Sequence, residues 1–358
     1  MRRALSIILL LLLPLVLLSG CTLFPSKAQG VERLLVVQAM GVDGADGAFT
    51  LSLLSSADSA RGEGPARLRG QGATLSAAAQ DVLLRANEEE LFFAHTGFVL
   101  VGEESAEALE TVLRHVCRSR EIRMDVPVYL IRGERAETAL LRTGEERVGA
   151  VELLRALDAA APRLSGEKPP SAADIAAALA EDGCALVAAL ACEPSSEEGA
   201  DGPTLTLSPA GYGVVAGDGL LGFLEQEDTA ALDLLRGCRG VHDFTVTDAA
   251  GRRVTLQTAP GRTDLTPRRG EDGLTRSLEL AVTLSASVAE LRGTAPADDA
   301  AYADELSALL ERELLRRTGR VVQLRKTLGA DFLGFAELPV ALSVSVRISH
   351  SNDMREGT

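Results

Sequence analysis

The chain has 358 residues, 46% hydrophobic and 24% charged, enough apolar material for more than one core. Its net charge of -15, or -17 once Arg2 and Arg3 are removed with an N-terminal signal, argues against a nucleic-acid binder, which needs basic residues to neutralise phosphates. It also gives anionic lipid no electrostatic pull, and with no Trp, 3 Tyr and 9 Phe the chain is poor in material for an aromatic-lined pocket.

Arg2 and Arg3 open the chain, and Ala4 to Leu18 is almost wholly Leu, Ile and Val. The run is short for a spanning helix, which needs roughly 20 apolar residues. A charged start, a short apolar core and small residues at its end have the layout of a secretory signal. The closing tetrapeptide Leu18-Ser19-Gly20-Cys21 resembles the lipobox of bacterial lipoproteins. That resemblance implies a cut before Cys21 and a diacylglycerol on its thiol. Two acyl chains anchor a protein stably where one holds it only marginally. The other reading is an ordinary secreted protein in which Cys21 is incidental. Residues 1–20 are thus expected to be the signal and 21–30 a tether, reaching at most about 35 Å when extended.

Val31 to Val42 is apolar on both alternating faces, which predicts a central, two-sided buried strand. Asp43-Gly44 and Asp46-Gly47 supply turn chemistry, and Ala48 to Leu54 alternates as a returning strand. Ala66 to Gly72 reads as a short edge strand, and Thr74 caps a helix to Ala86. Leu91 to Gly102 reads as one strand or two. Ser105 is expected to cap a helix to Arg118. A strand follows at Val126 to Arg132, then helices from Arg135 and Val148. Pro162 to Pro170 reads as a break. Ser171 to Asp174 resembles a capping box whose helix ends at Gly183, and Ala185 to Ala191 is expected to be a strand. Together these elements predict an α/β first domain over residues 31–200.

The acidic, Gly- and Pro-rich run Glu193 to Pro203 reads as a boundary. A small β-rich middle domain is expected over residues 201–270, with a helix at Asp228 to Leu235 and a hairpin around Asp248 to Gly251. A second boundary falls in Pro260 to Gly273. The C-terminal α/β domain, residues 271–358, opens with a long strand to Leu291. It continues with an amphipathic helix from Asp298 to Thr318, an interruption at Gly319, a further helix to Leu328, and a strand alternating from Val340 to Ile348. The fold class expected is α+β, three consecutive domains of small mixed sheets packed with helices.

Nothing here argues for an enzyme. The triple Gly211, Gly213, Gly217 has the wrong spacing for a dinucleotide loop, and no phosphate-loop, zinc-helix or nucleophile-elbow pattern occurs. The histidines His95, His115, His242 and His350 sit on unrelated elements. Paired acids such as Glu103-Glu104 stand at helix starts, where they complement the dipole. Beyond Cys21, Cys117, Cys184, Cys192 and Cys238 allow three pairings. Cys184 and Cys192 are too far apart to bridge on a helix or a strand, and all four read as small buried residues. No cofactor or metal is expected.

Three ordered stretches resemble one family, the Ger(x)C lipoproteins, the C subunits of spore nutrient germinant receptors. They are Val36 to Asp43 (VVQAMGVD); Gly72 to Glu104, with Phe92-Phe93-Ala94-His95 and Gly102-Glu103-Glu104; and Gly329 to Phe335, with Asp331 and Gly334. Tyr212 to Leu224 is similar to a family hairpin. The chain departs from the pattern at Ala336, where the family usually has Gly, and in lacking the segment that the family carries before its last strand. The resemblance implies three α/β-type domains, anchored by lipid to the outer face of the inner spore membrane. It implies an A subunit and a multi-spanning B subunit as partners, a response to nutrients, and no catalysis. His95, Gly102, Glu103, Asp331 and Gly334 are expected to define the fold rather than bind a ligand. A solute-binding lipoprotein of an importer would share the anchor but needs two similar lobes; a surface hydrolase would need a nucleophile or metal motif.

Overall fold

The first apolar run folds as β1 (Leu34–Asp43), with Val37, Ala39, Met40 and Val42 buried on alternating sides. The computed structural model describes residues 34–348 apart from 46, 59–62, 87–89, 143–148, 166, 200–201, 218 and 292–298. The expected signal, Cys21 and the tether lie outside the described residues. β2 (Phe49–Asp58) and β3 (Glu63–Gly72) return antiparallel from β1, with β3 at the sheet edge. Thr74 caps α1 (Leu75–Arg85) by accepting from the Ala77 amide. The Leu91–Gly102 run divides into β4 (Glu90–Phe92) and β5 (Phe98–Gly102), both parallel to β1.

After a 3-10 turn (Glu103–Ala108) come α2 (Leu109–Arg118), β6 (Val128–Arg132), α3 (Ala136–Leu141), α4 (Ala150–Ser165) and α5 (Ala172–Asp182). Ser171 and Asp174 form the expected capping box, and Gly183 ends α5 at φ +70°. β7 (Cys184–Gly199), β8 (Gly202–Ala216) and β9 (Gly219–Leu224) complete a nine-stranded mixed sheet of order β3-β2-β1-β5-β6-β7-β8-β9, with β4 beside β1. Its centre, β1-β5-β6-β7, is parallel, as crossover helices require. The strand period of two divides the side chains between two cores. Val99 and Val101 meet α1, α2 and α5 on one face, and Leu100 meets α3 and α4 on the other.

A 3-10 turn (Gln226–Asp228) and α6 (Thr229–Arg236) lead into a second sheet. It contains β10 (Asp243–Thr247), β11 (Arg253–Thr258), β12 (Arg262–Arg269), β13 (Thr275–Leu291) and β14 (Val340–Ile348). The order is β10-β11-β13-β12, with β14 parallel to β13. Helix α7 (Asp299–Leu328) lies on this sheet through Leu306, Leu310 and Leu314, and one core runs from it to the first sheet.

Several expectations are corrected. The residues 193–203 are not a boundary: β7 and β8 continue their ladder through Glu193↔Thr206 to Gly199↔Gly202, because backbone pairing needs no apolar pattern once register is set. The 201–270 segment therefore has no sheet of its own. β8 and β9 belong to the first sheet, β10 to β12 to the second, and the polar 260–273 stretch contains β12 paired along β13. Pro162 does not break the chain but lies inside α4 near its C-terminal end, at the cost of one intrahelical amide bond. Gly319 does not interrupt α7, since the buried stripe Leu314, Thr318, Val321 and Arg325 keeps helical phase across it. Ser105 is not a helix cap, for its hydroxyl is engaged elsewhere.

Candidate functional site

The parallel strands β1, β5 and β6 all end at one edge of the first sheet, the place where open α/β sheets form clefts. Asp43 closes β1, Gly102 closes β5 and Arg132 closes β6. Their following loops bound a cleft of about 860 Å3. Two of the three motif stretches, far apart in sequence, thus meet here.

Asp43 is 3% exposed, and its two oxygens accept from the first amides of α3, Ala136 at 2.7 Å and Glu137 at 2.8 Å. Arg135, the residue before α3, offers no side-chain cap, so this carboxylate does that work across 93 residues of sequence. Burial pushes the Asp43 carboxyl above the usual range; the two amides and Arg135, 3.9 Å away, pull against it. A Cβ at Gly102 would lie 2.4 Å from Asp43 Oδ1, which is why the motif has glycine there. The Gly44 amide donates to Ser105 Oγ at 2.6 Å, and the Gly133 amide to Glu103 Oε2 at 2.6 Å. All three loops are thereby tied to one another. Glu104, Glu107 and Glu134 line the cleft with Glu103, against the single cation Arg135. Such a surface repels carboxylates and phosphates and suits a basic partner.

The third motif lies elsewhere, where α7 ends. Asp331 accepts from the amides of Phe335, at 2.9 Å, and Ala336, while the Gly334 amide closes the turn on the Asp331 carbonyl at φ +70°. Arg325, 4% exposed, donates to Asp331 Oδ1 at 3.1 Å and to the carbonyls of Ala336 and Leu338. Arg236 of α6 donates to the Phe332 carbonyl at 3.1 Å, so the motif fastens the end of α7 to the helix between the sheets. Ala336 takes φ +51°. His95 is brought to neither place. It is exposed in the turn between β4 and β5, with its ring 5.5 Å from that of Phe92, and no hydrogen bond to it is formed among the described residues.

Sequence reasoning misses two sets of residues. Arg325 is buried although no local signal in the sequence marks it. His242 pairs with Asp233, not with its neighbour Asp243; Nε2 lies 2.8 Å from Oδ2, and both residues are buried. Burial pushes the Asp233 carboxyl up, but His242 and the amides of Gly240 and Arg239 outweigh it and hold the carboxyl down. Cys238 lies in the same loop, but burial pushes its thiol up to about 11, so it is no activated nucleophile. The four cysteines of the described residues, Cys117, Cys184, Cys192 and Cys238, are free, and among the described residues no group of three His, Cys, Asp or Glu could hold a metal. No helix of the described residues is long and apolar enough to cross a membrane.

The fold is similar to that of the crystal structure of the GerBC protein, with a TM-score of 0.56 and 15% identity over 87% of this chain and 97% of that one. No curated protein matches the sequence. Residues 27–191, which include β1 to the body of β7, match the family described as the spore germination protein N-terminal domain. The chain thus carries a stretch similar to the spore germination protein N-terminal domain, within a mixed α/β fold similar to that of GerBC.

Proposed function

We propose that this chain is the lipid-anchored C subunit of a nutrient germinant receptor, a non-catalytic component that binds and positions its partners. Cys21 carries the diacylglycerol on the outer face of the inner spore membrane, and A and B subunits are the partners. The observation that carries this reading is the germination-family match of residues 27–191, in a chain whose Leu18 to Cys21 has the lipobox pattern. The acidic cleft supports it, because its hydrogen bonds tie the loops together and leave a carboxylate surface suited to a basic protein partner. Deleting the gene is expected to abolish the response to at least one nutrient and to leave nutrient-independent germination intact. Unchanged nutrient responses, in a strain without a paralogue, would overturn the reading.

A further inference from the structure

Helices α2 and α5 pack side by side on one face of the first sheet, and the groove between them has a volume of about 450 Å3. Leu109 and Leu113 of α2, one turn apart, form one wall, and Ala176, Leu179 and Ala180 of α5 form the other. The two leucines of α2 are each 2% exposed, held down by the core beneath, so that wall stops low. Opposite it, α5 presents Ala176 and Ala180 at i and i+4, where larger side chains would have filled the space. Ala216 of β8 completes an apolar floor that nothing among the described residues covers.

The groove runs into the acidic cleft, because Ala106 and Glu107 line both. The start of β9 fixes that junction: Gly219 takes φ +105°, and a Cβ there would lie 2.9 Å from Glu107 Cα. Glu107 and Glu110 stand exposed along the groove. Arg114 is the only cation lining it among the described residues, and Glu110 holds it one turn back along α2. With Glu103, Glu104 and Glu134 of the cleft, one continuous depression has an apolar floor and a carboxylate rim. A depression of this kind attracts cations to its edge and apolar side chains to its bottom. The rim repels an anionic lipid. Along α2 and α5 the backbone amides and carbonyls are paired within each helix. An extended segment laid between them would leave its own backbone groups unpaired, whereas a helix arrives with its pairs already made.

We propose that the groove between α2 and α5 docks a basic amphipathic helix of a partner protein. Its apolar stripe lies on Leu109, Leu113 and Leu179, and its Lys and Arg side chains reach Glu107, Glu110 and the glutamates of the cleft. The proposal rests on the receptor reading only for the source of that helix, a segment of the A or B subunit outside the bilayer; the chemistry of the helix is set by the groove.

The test is made in spores that carry the full-length chain with the photo-crosslinking residue p-benzoylphenylalanine in place of Ala180, which is exposed beside the groove. A control chain carries the same residue in place of Leu265 of β12, 48% exposed on the second sheet. Irradiation is expected to join the first chain to one segment, read by mass spectrometry, that carries net positive charge and apolar residues at i, i+3 and i+4. The control is expected not to reach that segment. Glu107→Lys together with Glu110→Lys is expected to lower the crosslink yield about tenfold, since like charges then meet at the rim. Ala176→Leu, which fills the groove, is expected to lower it as well and serves if the doubly reversed chain does not accumulate. A crosslink to lipid alone, to a segment without that pattern, or to nothing would overturn the proposal, as would a yield that neither variant changes. A basic amphipathic segment belonging to neither an A nor a B subunit would support the docking site and overturn the receptor reading instead.

Discussion

Gly102 has no room for a side chain, because Asp43 Oδ1 occupies the space a Cβ would take. Gly102→Ala would push that carboxylate off the amides of Ala136 and Glu137, leaving one buried and one partly buried donor without it. We expect the variant to lose about 2–4 kcal/mol, measured by urea unfolding, and to loosen the cleft loops. Asp331 makes the opposite case at the other motif. It is partly exposed, and its turn holds Ala336 at φ +51°, where a Cβ crowds the backbone. Ala336→Gly is expected to raise stability by about 0.5–1 kcal/mol, seen as a higher Tm, because glycine adopts that φ without strain. No gain in Tm would mean that the loop holds another conformation in solution.

At the scale of elements, α7 shows what a sequence reading can and cannot see. Its stripe Leu306, Leu310, Leu314 is plain, but Gly319 looks like a stop because glycine usually weakens helices. The helix continues because the buried face stays in phase through Val321 and Arg325, and tertiary burial outweighs local propensity. A Cβ at Gly319 would meet nothing, so Gly319→Ala is expected to stabilise the protein by about 1 kcal/mol in thermal or urea unfolding. The same logic explains the β7–β8 hairpin, whose outer part carries Glu, Ser, Gly and Pro and reads as a loop. Pairing there follows from the register of the buried inner part, which local composition does not encode. The motif residues Asp43, Gly102 and Glu103 are legible as a pattern; their meeting at one edge is not, because it needs the parallel order of β1, β5 and β6. Arg325 is illegible for a related reason. Only the loop that folds over it makes it a buried donor.

At the scale of the whole molecule, the two sheets are joined by charge as well as by core. Arg316, Arg317 and Arg320 of α7 face the acidic turn Gln226–Asp228, where Arg320 pairs with Glu227 and Asp228 and Arg317 donates to the Glu227 carbonyl. Glu313 holds Arg316 at 2.6 Å and Arg317 at 2.7 Å. Hydrogen bonds from Arg316 first, and then from Arg317, against the cost of burial, bring its carboxyl down to about 2. A depressed carboxylate stabilises the fold above its ordinary range, and that stabilisation is lost as pH falls from about 4.5 to about 2. Glu313→Gln is therefore expected to cost roughly 1–2 kcal/mol at pH 7 after solvent screening, with the two proteins converging near pH 2. A constant difference across that range would show that the pair does not titrate as described.

The receptor reading makes one demand above the others: the intact protein must be held in a membrane complex. The measurement is recovery of the lipidated chain from detergent-solubilised spore inner membrane, with identification of the proteins that accompany it. The account predicts a multi-spanning, transporter-like subunit and an A-type partner in the same fraction. Recovery of an importer permease, or of this chain alone, would contradict it.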